Sequence, residues 1–369
     1  MQESWVQIDL SRLAENIRLV RAALRPETDI IFVAKANAYG HGLVPVAVHA
    51  ARSGIQWFAV AYLHEALQVR AVLSDVRILM LGAAEPDDVP VLLEQDITPV
   101  LISEKHAREL GQTAKKRGRI LPVHLKLDTG MGRLGIWWED AGATMDRLGA
   151  SLGFEIAGLC THFATVEPRK PAPANTQWER FGTAAAAVEQ RVGGRLFRHV
   201  SSSRAALYFR DWDLDAIRPG IALYGYGAAD PAGRFHTKPI LEWKTHVIQV
   251  KRVPPGFSVG YYWQYTTPAP TTLATLSVGY ADGYNRLLGN KGCVLIGGRR
   301  CLVVGCVSMN WIVVDLGADP VAHEGGEAIL IGEQGSESIW ADELAATCKT
   351  IPHEILTDIN AALERRYLE

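Results

Sequence analysis

The sequence predicts an α/β protein with an added all-β domain: an N-terminal (β/α)8 TIM-type barrel followed by a C-terminal β-strand domain. Over the first two thirds of the chain, short apolar runs alternate with helical patterns about eight times, which is typical of βαβ units closed into a barrel. Near residue 236 the pattern becomes strand-only, with paired glycines at tight turns. We therefore expect domains at residues 1–235 and 236–369, with residues 1–10 pairing with the second domain.

The predicted barrel strands are apolar runs rich in β-branched residues, at 30–34, 57–61, 76–81, 97–102, 122–127 and 154–160. Apolar residues at helical spacing lie between them, at 65–72, 104–116 and 175–190. The first helix repeats apolar residues every three or four positions from Leu10, and Ser11 is its predicted cap.

In the second domain, alternating or continuous apolar patterns predict strands at 241–253, 271–278, 292–296, 301–309, 311–316 and 327–331. Two glycine pairs, 297–298 and 325–326, mark turns between them. Helical patterns at 341–348 and 355–367 are expected to end the chain.

Composition narrows the class of function. The 369 residues include 38 Lys+Arg and 40 Asp+Glu, and this formal charge of -2 argues against a nucleic-acid or anionic-membrane partner. No apolar run approaches the ~18 residues of a membrane span, and residues 1–5 do not resemble a secretory signal. The five cysteines lack a metal-ligand spacing, so the sequence predicts no metal site. We expect a reduced, cytoplasmic protein.

The first chemically informative residue is Lys35, at the end of the strand 30–34 and the start of KANAYGHG (35–42). In a (β/α)8 barrel the active site lies at the carboxyl ends of the strands. A partly desolvated lysine there has a lowered pKa and reacts with carbonyl groups. A lysine at a strand end also occurs without any function, so this residue alone does not decide the matter.

Four further segments join KANAYGHG in chain order. They are LKLDTGMGRLG (125–135), THFAT (161–165), IRPGIALYG (217–225) and GYADGY (279–284). Together the five resemble the conserved segments of the alanine racemase family and span most of the chain. The resemblance implies a pyridoxal 5'-phosphate (PLP)-binding (β/α)8 barrel with a C-terminal β domain. It also implies a homodimer whose active sites are shared between subunits.

The resemblance implies that Lys35 binds PLP covalently and is one of two catalytic acid/base groups. Racemisation needs a base on each face of a planar carbanion, because the proton must return from the side opposite its removal. The second base of the family is a tyrosine, and counting back from GYADGY without a gap identifies Tyr261. A register shift of one residue selects Tyr262 instead. A tyrosine acts as a base only as a phenolate, which nearby cations must stabilise.

Arg218 resembles the arginine that faces the PLP ring nitrogen. A guanidinium keeps its proton, so the ring nitrogen stays unprotonated and reprotonation at Cα is favoured over transamination. His162 matches a histidine associated with this arginine and with the tyrosine base. Hydroxyls and backbone N–H groups suit the phosphate; the matched positions are Tyr39, Ser203, Gly220, Ile221 and, where the family has tyrosine, His353.

Two residues match positions that contact the substrate carboxylate: Arg133, and Met309 from across the dimer. Lys126 occupies a position that carries a carboxylated lysine in many family members. That modification turns a cation into an anion able to orient Arg133. The alternative is a plain surface pair of Lys126 with Asp128.

Several pocket positions depart from the family. Asn310 replaces an aspartate after Met309, and the smaller imidazole of His353 replaces a phenol. In the substrate access corridor, Arg286 is retained, Glu167 stands for an aspartate and Cys306 for an arginine. These changes leave both bases in place and lie where substrate size and access are decided.

Three functions remain open from the sequence. The first is PLP-dependent racemisation of L- and D-alanine by Lys35 and Tyr261. The second is a racemase of broader or shifted specificity, for serine or a larger amino acid, on the same scaffold. The third is a non-catalytic PLP-binding protein, which the second domain and Tyr261 argue against. A fold-related decarboxylase is not expected to carry these five segments in this order.

Overall fold

The computed structural model describes residues 4–149, 153–227, 236–320 and 322–369. The first ten strands, in chain order, are β1 (Trp5–Asp9), β2 (Asp29–Val33), β3 (Trp57–Val60), β4 (Arg77–Met80), β5 (Ile97–Leu101), β6 (Leu121–Asp128), β7 (Ile136–Trp137), β8 (Phe154–Cys160), β9 (Phe197–His199) and β10 (Ala216–Ile217). The accompanying helices are α1 (Leu10–Ala23), α2 (Lys35–Tyr39), α3 (Leu43–Arg52), α4 (Leu63–Val72), α5 (Val89–Glu94), α6 (Glu104–Lys116), α7 (Ala141–Leu148), α8 (Ala172–Val192) and α9 (Ser203–Tyr208).

Eight of these strands form a parallel barrel in the order β10-β2-β3-β4-β5-β6-β8-β9. A parallel bridge between Ser202 and Arg218 joins the two ends of this order, so the barrel is nearly closed. The strands are buried along most of their length and carry core side chains such as Phe32, Phe58 and Ile78. The predicted fold class is therefore confirmed, and helix α6 has the predicted bounds, 104–116.

The cap predicted for the first helix is wrong. Asp9, and not Ser11, is the N-cap of α1, because its carboxylate accepts the backbone N–H of Arg12 at 2.9 Å. Ser11 lies inside the first turn and its hydroxyl donates to Asp9 at 2.6 Å. Both residue types are good caps, and the position at which strand β1 ends decides between them.

The second domain is a closed sheet of mainly antiparallel strands. Its strands are β11 (Leu241–Val253), β12 (Ser258–Val259), β13 (Tyr265–Thr266), β14 (Thr271–Leu276), β15 (Cys293–Ile296), β16 (Arg299–Val303), β17 (Ile312–Gly317), β18 (Glu327–Gln334), β19 (Glu337–Ile339) and β20 (Glu364–Leu368). Six of them, β18-β15-β16-β17-β14-β11, close on themselves through a further β11–β18 pairing. The predicted strand 301–309 ends at residue 303, after which the chain turns.

The amino terminus belongs to this second sheet in space. Strand β1 pairs antiparallel with β11 and parallel with β20, and so joins the two ends of the chain. The carboxyl-terminal helices are α10 (Ala341–Cys348) and α11 (Pro352–Asp358). The helix predicted at 355–367 is wrong beyond residue 358. Residues 364–368 alternate in burial and form strand β20, because they pair with the free edge of β1.

No helix within the described ranges combines the length and the apolar character that crossing a bilayer requires.

A buried carboxylate near the end of the barrel, Asp213, makes stability depend on pH. Asp213 is 1% exposed, and the neighbouring Ser201 hydroxyl donates to the carbonyl of Trp212 instead. Burial raises the pKa of Asp213 to about 7. The folded state therefore disfavours the ionised form that the unfolded chain adopts above its own pKa of about 4. Stability is therefore lost as the pH rises from the unfolded-state pKa of about 4 through the folded-state pKa of about 7.

We expect Asp213→Asn to increase the free energy of unfolding at pH 8 by on the order of 2 kcal/mol. The gain should shrink as the pH falls and vanish near pH 4, where both states are protonated. Urea unfolding at several pH values measures it. Asp211→Asn, at the exposed partner of Arg25, is the matched control. An equal effect of the two substitutions, or a gain independent of pH, would contradict the assignment.

Candidate active site

A cavity of about 680 Å³ opens at the carboxyl ends of the barrel strands. Lys35 enters it directly after β2, and Arg218 enters it directly after β10. Within this chain the cavity brings together ten of the predicted site residues: Lys35, Tyr39, Lys126, Arg133, His162, Ser203, Arg218, Gly220, Ile221 and His353.

Lys35 begins a turn with an uncommon backbone. Ala36, Asn37 and Ala38 have φ of 53–54°, in the left-handed region that non-glycine residues rarely adopt in succession. The carboxylate of Glu65 stabilises this turn by accepting the N–H of Ala36 at 2.6 Å and that of Ala61 at 2.8 Å. Strained backbone of this kind collects at functional sites, where surrounding contacts hold it in place.

The sequence analysis missed Glu65. Its residue type and position, three residues into helix α4, are those of an ordinary helix-start acid. The distinguishing feature is that Glu65 is 5% exposed, since a charged side chain is seldom buried without partners. Burial is a property of the fold and does not show in this stretch of sequence.

The environment of Lys35 favours its neutral amine. Burial lowers the pKa of Lys35, the positive charge of Arg133 lowers it further, and Glu65 partly opposes both. A neutral amine is the form that attacks a carbonyl carbon and that accepts a proton. Lys35 is thus suited to both roles implied by the sequence.

Arg218 is 6% exposed and is held by four acceptors. Its guanidinium donates to the carbonyls of Thr161 and Val200, at 2.6 and 3.0 Å. It also donates to the carbonyl and to Nδ1 of His199, the latter at 2.8 Å. These bonds use both hydrogens of each terminal nitrogen, so the Nε–H is the one donor left, and the four acceptors hold it in one orientation.

A chain of buried imidazoles extends behind Arg218. Because Arg218 can only donate, Nδ1 of His199 accepts and its Nε2 carries the proton, which it donates to Nδ1 of His124 at 2.7 Å. Burial first, and then Arg218, lower the pKa of His199 and that of His124, the latter to about 4. Both rings are therefore neutral. The sequence analysis missed this pair, whose only local signal is a histidine within each buried strand.

The described residues around Ser203 form a set of hydrogen-bond donors. Its Oγ accepts the N–H groups of Gly220 and Ala222, at 3.0 and 3.3 Å. Gly220 is required by the close approach of Tyr39, since a Cβ there would lie 2.3 Å from the phenolic oxygen. Burial raises the pKa of Tyr39 to about 12, so this phenol remains a donor. Clustered hydroxyl and N–H donors fit a phosphate group.

His353 borders the same region from helix α11. Its ring centroid lies 5.7 Å from that of Tyr39, and its buried Nδ1 has no hydrogen-bond partner. An unsatisfied buried nitrogen indicates a group that binds there. Burial, followed by the charge of Lys35, lowers the pKa of His353.

Lys126, in strand β6, and Arg133, in the loop after that strand, border the same cavity. Asp128 accepts the N–H groups of residues 130, 131 and 132 and so builds the loop that carries Arg133. The structure records no ion pair between Lys126 and Asp128, which disfavours the surface-pair alternative. Burial is the main cause that lowers the pKa of Lys126 to about 8.

The cavity has a strongly positive lining. Among the described residues, no carboxylate borders it. Five cationic side chains do: Lys35, Lys126, Arg133, Arg204 and Arg218. Burial lowers the pKa of His162 to about 2, and four of these cations add to the effect, so its ring is neutral: Arg218, Lys126, Arg133 and Lys35. Such a cavity suits a phosphorylated cofactor together with a substrate carboxylate.

Four predicted site residues do not border this cavity. Tyr261 and Met309 are 66% and 56% exposed on the second domain. Arg286 is also exposed there, in a short 3-10 turn, Arg286–Leu288. Glu167 is exposed on the barrel, where it forms an ion pair with Arg204 at 3.3 Å. One chain alone does not bring Lys35 and Tyr261 together.

Comparison with known proteins gives the same family over both domains. Residues 8–228 match the family described as "Alanine racemase, N-terminal domain", and residues 240–367 match "Alanine racemase, C-terminal domain". The alanine racemase of Halothermothrix orenii is 37% identical over 365 residues, covering 99% of this chain and 96% of that protein. That of Carboxydothermus hydrogenoformans is 38% identical over 374 residues, covering all of both chains.

Solved structures agree. The crystal structure of alanine racemase from Bacillus anthracis with bound L-Ala-P has a TM-score of 0.92 at 31% identity and covers 100% of this chain and 96% of its own. The enzyme from Bartonella henselae, solved with covalently bound pyridoxal phosphate, has a TM-score of 0.88 at 30% identity, with 100% of both chains covered.

Proposed function

The chain belongs to the alanine racemase family of PLP-dependent isomerases, and on that premise we propose that it interconverts L- and D-alanine with Lys35 and Tyr261 as two opposed bases. The observation that carries this proposal is the desolvated Lys35 in a cavity lined by cations and phosphate-binding donors. PLP, when bound, supplies the electron sink that makes the α-proton of an amino acid removable.

The residues of the cavity fit this cofactor. The neutral amine of Lys35 would bind its aldehyde carbon, and the hydroxyls of Tyr39 and Ser203 would donate to its phosphate, with Gly220 leaving room beside them. The unpartnered Nδ1 of His353 adds one more polar group on that side. A cavity of about 680 Å³ has room for the cofactor and a small amino acid.

Arg218 would contribute a fixed hydrogen-bond donor that never releases its proton. His199 and His124 keep it in place, because removing either would leave a buried group unpaired. With PLP bound, a donor of constant charge at Arg218 would restrain the delocalisation of negative charge into the cofactor. Proton return to Cα is then favoured over competing reactions.

Two bases on opposite faces require a second copy of the chain. Lys35 can take or return the α-proton on one face, but the exposed Tyr261 does not reach the same cavity. We propose that the partner subunit supplies Tyr261, together with Met309, in a homodimer with shared sites. Each subunit then contributes a lysine to one site and a tyrosine to the other.

The substrate carboxylate would be bound by Arg133, the exposed cation at the rim of the cavity. Lys126 would orient Arg133 once carboxylated. Its pKa of about 8 leaves a useful fraction of neutral amine at physiological pH. The amine nitrogen attacks carbon dioxide and loses a proton, giving an anionic carbamate that neutralises part of the positive cavity.

We expect the protein in ¹³C-labelled bicarbonate to show one carbamate signal by ¹³C NMR that is absent from Lys126→Ala. The substitution should lower kcat/KM about tenfold, as for the loss of one charged contact, with partial recovery in acetate. Lys105→Ala, at an exposed lysine, is the control. A spectrum identical for the wild-type and Lys126→Ala proteins would contradict carboxylation.

His353 also affects which substrate sizes the cavity accepts. An imidazole at this position leaves more room than a phenol, which favours the alternative that serine or a larger amino acid is also turned over. Asn310, exposed beside Met309, removes a negative charge from the loop that would face the partner's cavity. The primary proposal remains alanine, since both bases and the carboxylate contacts are those of the family.

The experiment that tests the function is incubation of the PLP-loaded protein with L-alanine, L-serine and larger L-amino acids in D₂O. Chiral chromatography and mass spectrometry then report the D-isomer and the α-deuterium together. Fast formation of deuterated D-alanine supports alanine racemisation, and comparable D-serine supports the broader specificity. Retention of PLP without any exchange would support the non-catalytic PLP-binding alternative instead.

A further inference from the structure

The loop that carries Tyr261 projects from the second domain on a two-stranded ribbon. Strands β12 and β13 pair through Ser258 with Thr266 and through Val259 with Tyr265. Three consecutive aromatic residues at its tip, 261–263, are 66%, 81% and 74% exposed. Few contacts of their own side chains with this chain can therefore hold the tip in shape.

The backbone of the tip nevertheless has an uncommon conformation. Tyr262 and Trp263 have φ of 61° and 49°, and the preceding Gly260 has φ of 70°. Non-glycine residues adopt this left-handed region only at a cost, and they remain there when neighbouring groups impose it. The direction of the Tyr261 side chain consequently depends on what holds the end of the tip.

Asn290 provides one of these contacts. Its Nδ2 donates to the carbonyl of Gln264, the last residue of the tip, at 3.3 Å. Its Oδ1 accepts the N–H of Gly305 at 2.6 Å, on the neighbouring turn. Asn290 itself has φ of 58°, a conformation that asparagine tolerates better than most residues. One side chain thus ties the tip to the turn beside it.

Cys306 provides the other contact, from that same turn. Its Sγ lies 3.2 Å from Oε1 of Gln264 and 3.5 Å from the carbonyl oxygen of Tyr261. A thiol has a single proton, so it donates to one oxygen and lies against the other. The turn also approaches the ribbon closely, because a Cβ on Gly305 would lie 2.9 Å from the carbonyl oxygen of Val259.

We propose that Asn290 and Cys306 are positioning residues that hold the loop of Tyr261 in its reactive orientation. The inference rests on the proposed function, in which Tyr261 acts in the partner's cavity. Neither residue borders the cavity of its own chain. They act through Gln264 and the backbone of Tyr261, and their loss should impair proton transfer on one face of the substrate only.

Isotope exchange measures that asymmetry in the PLP-loaded protein. In D₂O, Lys35 alone can remove and return the α-proton of one enantiomer with retention, whereas inversion also needs Tyr261. A displaced Tyr261 therefore raises the ratio of exchange with retention to racemisation for that enantiomer. General loss of folding or of PLP lowers both rates together and leaves this ratio unchanged.

Two pairs of variants give matched comparisons. Cys306→Ala removes the donor, and Cys306→Ser keeps one. Asn290→Gly removes both contacts and accepts the left-handed backbone, and Asn290→Asp keeps the acceptor for Gly305 and loses the donor to Gln264. We expect about a tenfold fall in kcat for the alanine, glycine and aspartate variants, with little change in KM and a raised ratio. The serine variant should retain activity within about twofold.

An unchanged ratio in all variants would overturn the inference, whether or not kcat falls, since the loop would then need neither contact. Loss of activity in Cys306→Ser as large as in Cys306→Ala would overturn the role of Cys306 as a hydrogen-bond donor to the loop. A wild-type protein that neither exchanges nor racemises alanine would instead overturn the proposed function, and the inference with it. The outcomes are therefore distinguishable within one assay.

Discussion

Replacing Lys35 with arginine is expected to reduce racemisation of alanine by at least about 10³-fold, because the change removes both a covalent nucleophile and one acid/base group. Arginine keeps the positive charge in the cavity but cannot act as a neutral amine. The donors near Ser203 and Tyr39 remain, so PLP should still bind, although reversibly. Chiral assay of the product gives the rate.

A second measurement separates lost chemistry from lost folding in this variant. Both proteins are treated with borohydride, denatured and passed through a gel-filtration column. The wild-type protein should retain PLP, because reduction fixes the bond to Lys35, whereas Lys35→Arg should release it. Lys105→Arg, a conservative change at an exposed helix position, should behave as the wild type does. Activity of Lys35→Arg within tenfold of wild type would show that another group performs its role.

Replacing Tyr261 with phenylalanine is expected to lower kcat by on the order of 10³-fold, in the range of a lost general acid or base. Only one oxygen is removed from an exposed side chain, so folding should be unaffected. Tyr262→Phe is the matched control, and it should stay within about twofold. The reverse result would move the catalytic role to Tyr262.

Mixing the two inactive variants tests the shared site. A hybrid dimer of Lys35→Arg and Tyr261→Phe subunits contains one site with both native bases and one site with neither. Random exchange of subunits should therefore restore about one quarter of wild-type activity. No recovery after confirmed exchange would place both bases in one subunit and contradict the dimer proposal.

Much of the cavity lining could be predicted from the sequence. Apart from His353 in helix α11, its cofactor-binding candidates follow strands or occupy glycine-bearing turns that local patterns identify, and the barrel topology gathers strand ends at one face. Lys35 and Arg218 are far apart in the chain yet enter the same cavity for this reason. Their roles came from the resemblance of whole segments, because a lysine or an arginine alone indicates no particular chemistry.

Residues whose role depends on burial could not be predicted from the sequence. Glu65, His124 and His199 look like ordinary helix and strand residues, and only their enclosure makes them matter. The cap of the first helix and the end of the chain were mispredicted for a related reason. Asp9 displaced Ser11 where a strand ended, and residues 364–368 became a strand because β1 offered an edge.

The sequence by itself determined the family, the barrel with its β domain and the need for PLP, because those properties depend on local periodicity and on contiguous segments. The tertiary structure decided which side chains lose water, which acceptors hold Arg218 and which two side chains contact Gln264 at the end of the Tyr261 loop. Desolvation and hydrogen bonding depend on distances between residues remote in the chain. A one-dimensional pattern does not contain those distances, and for that reason only the fold shows that burial lowers the pKa of Lys35 and of Lys126.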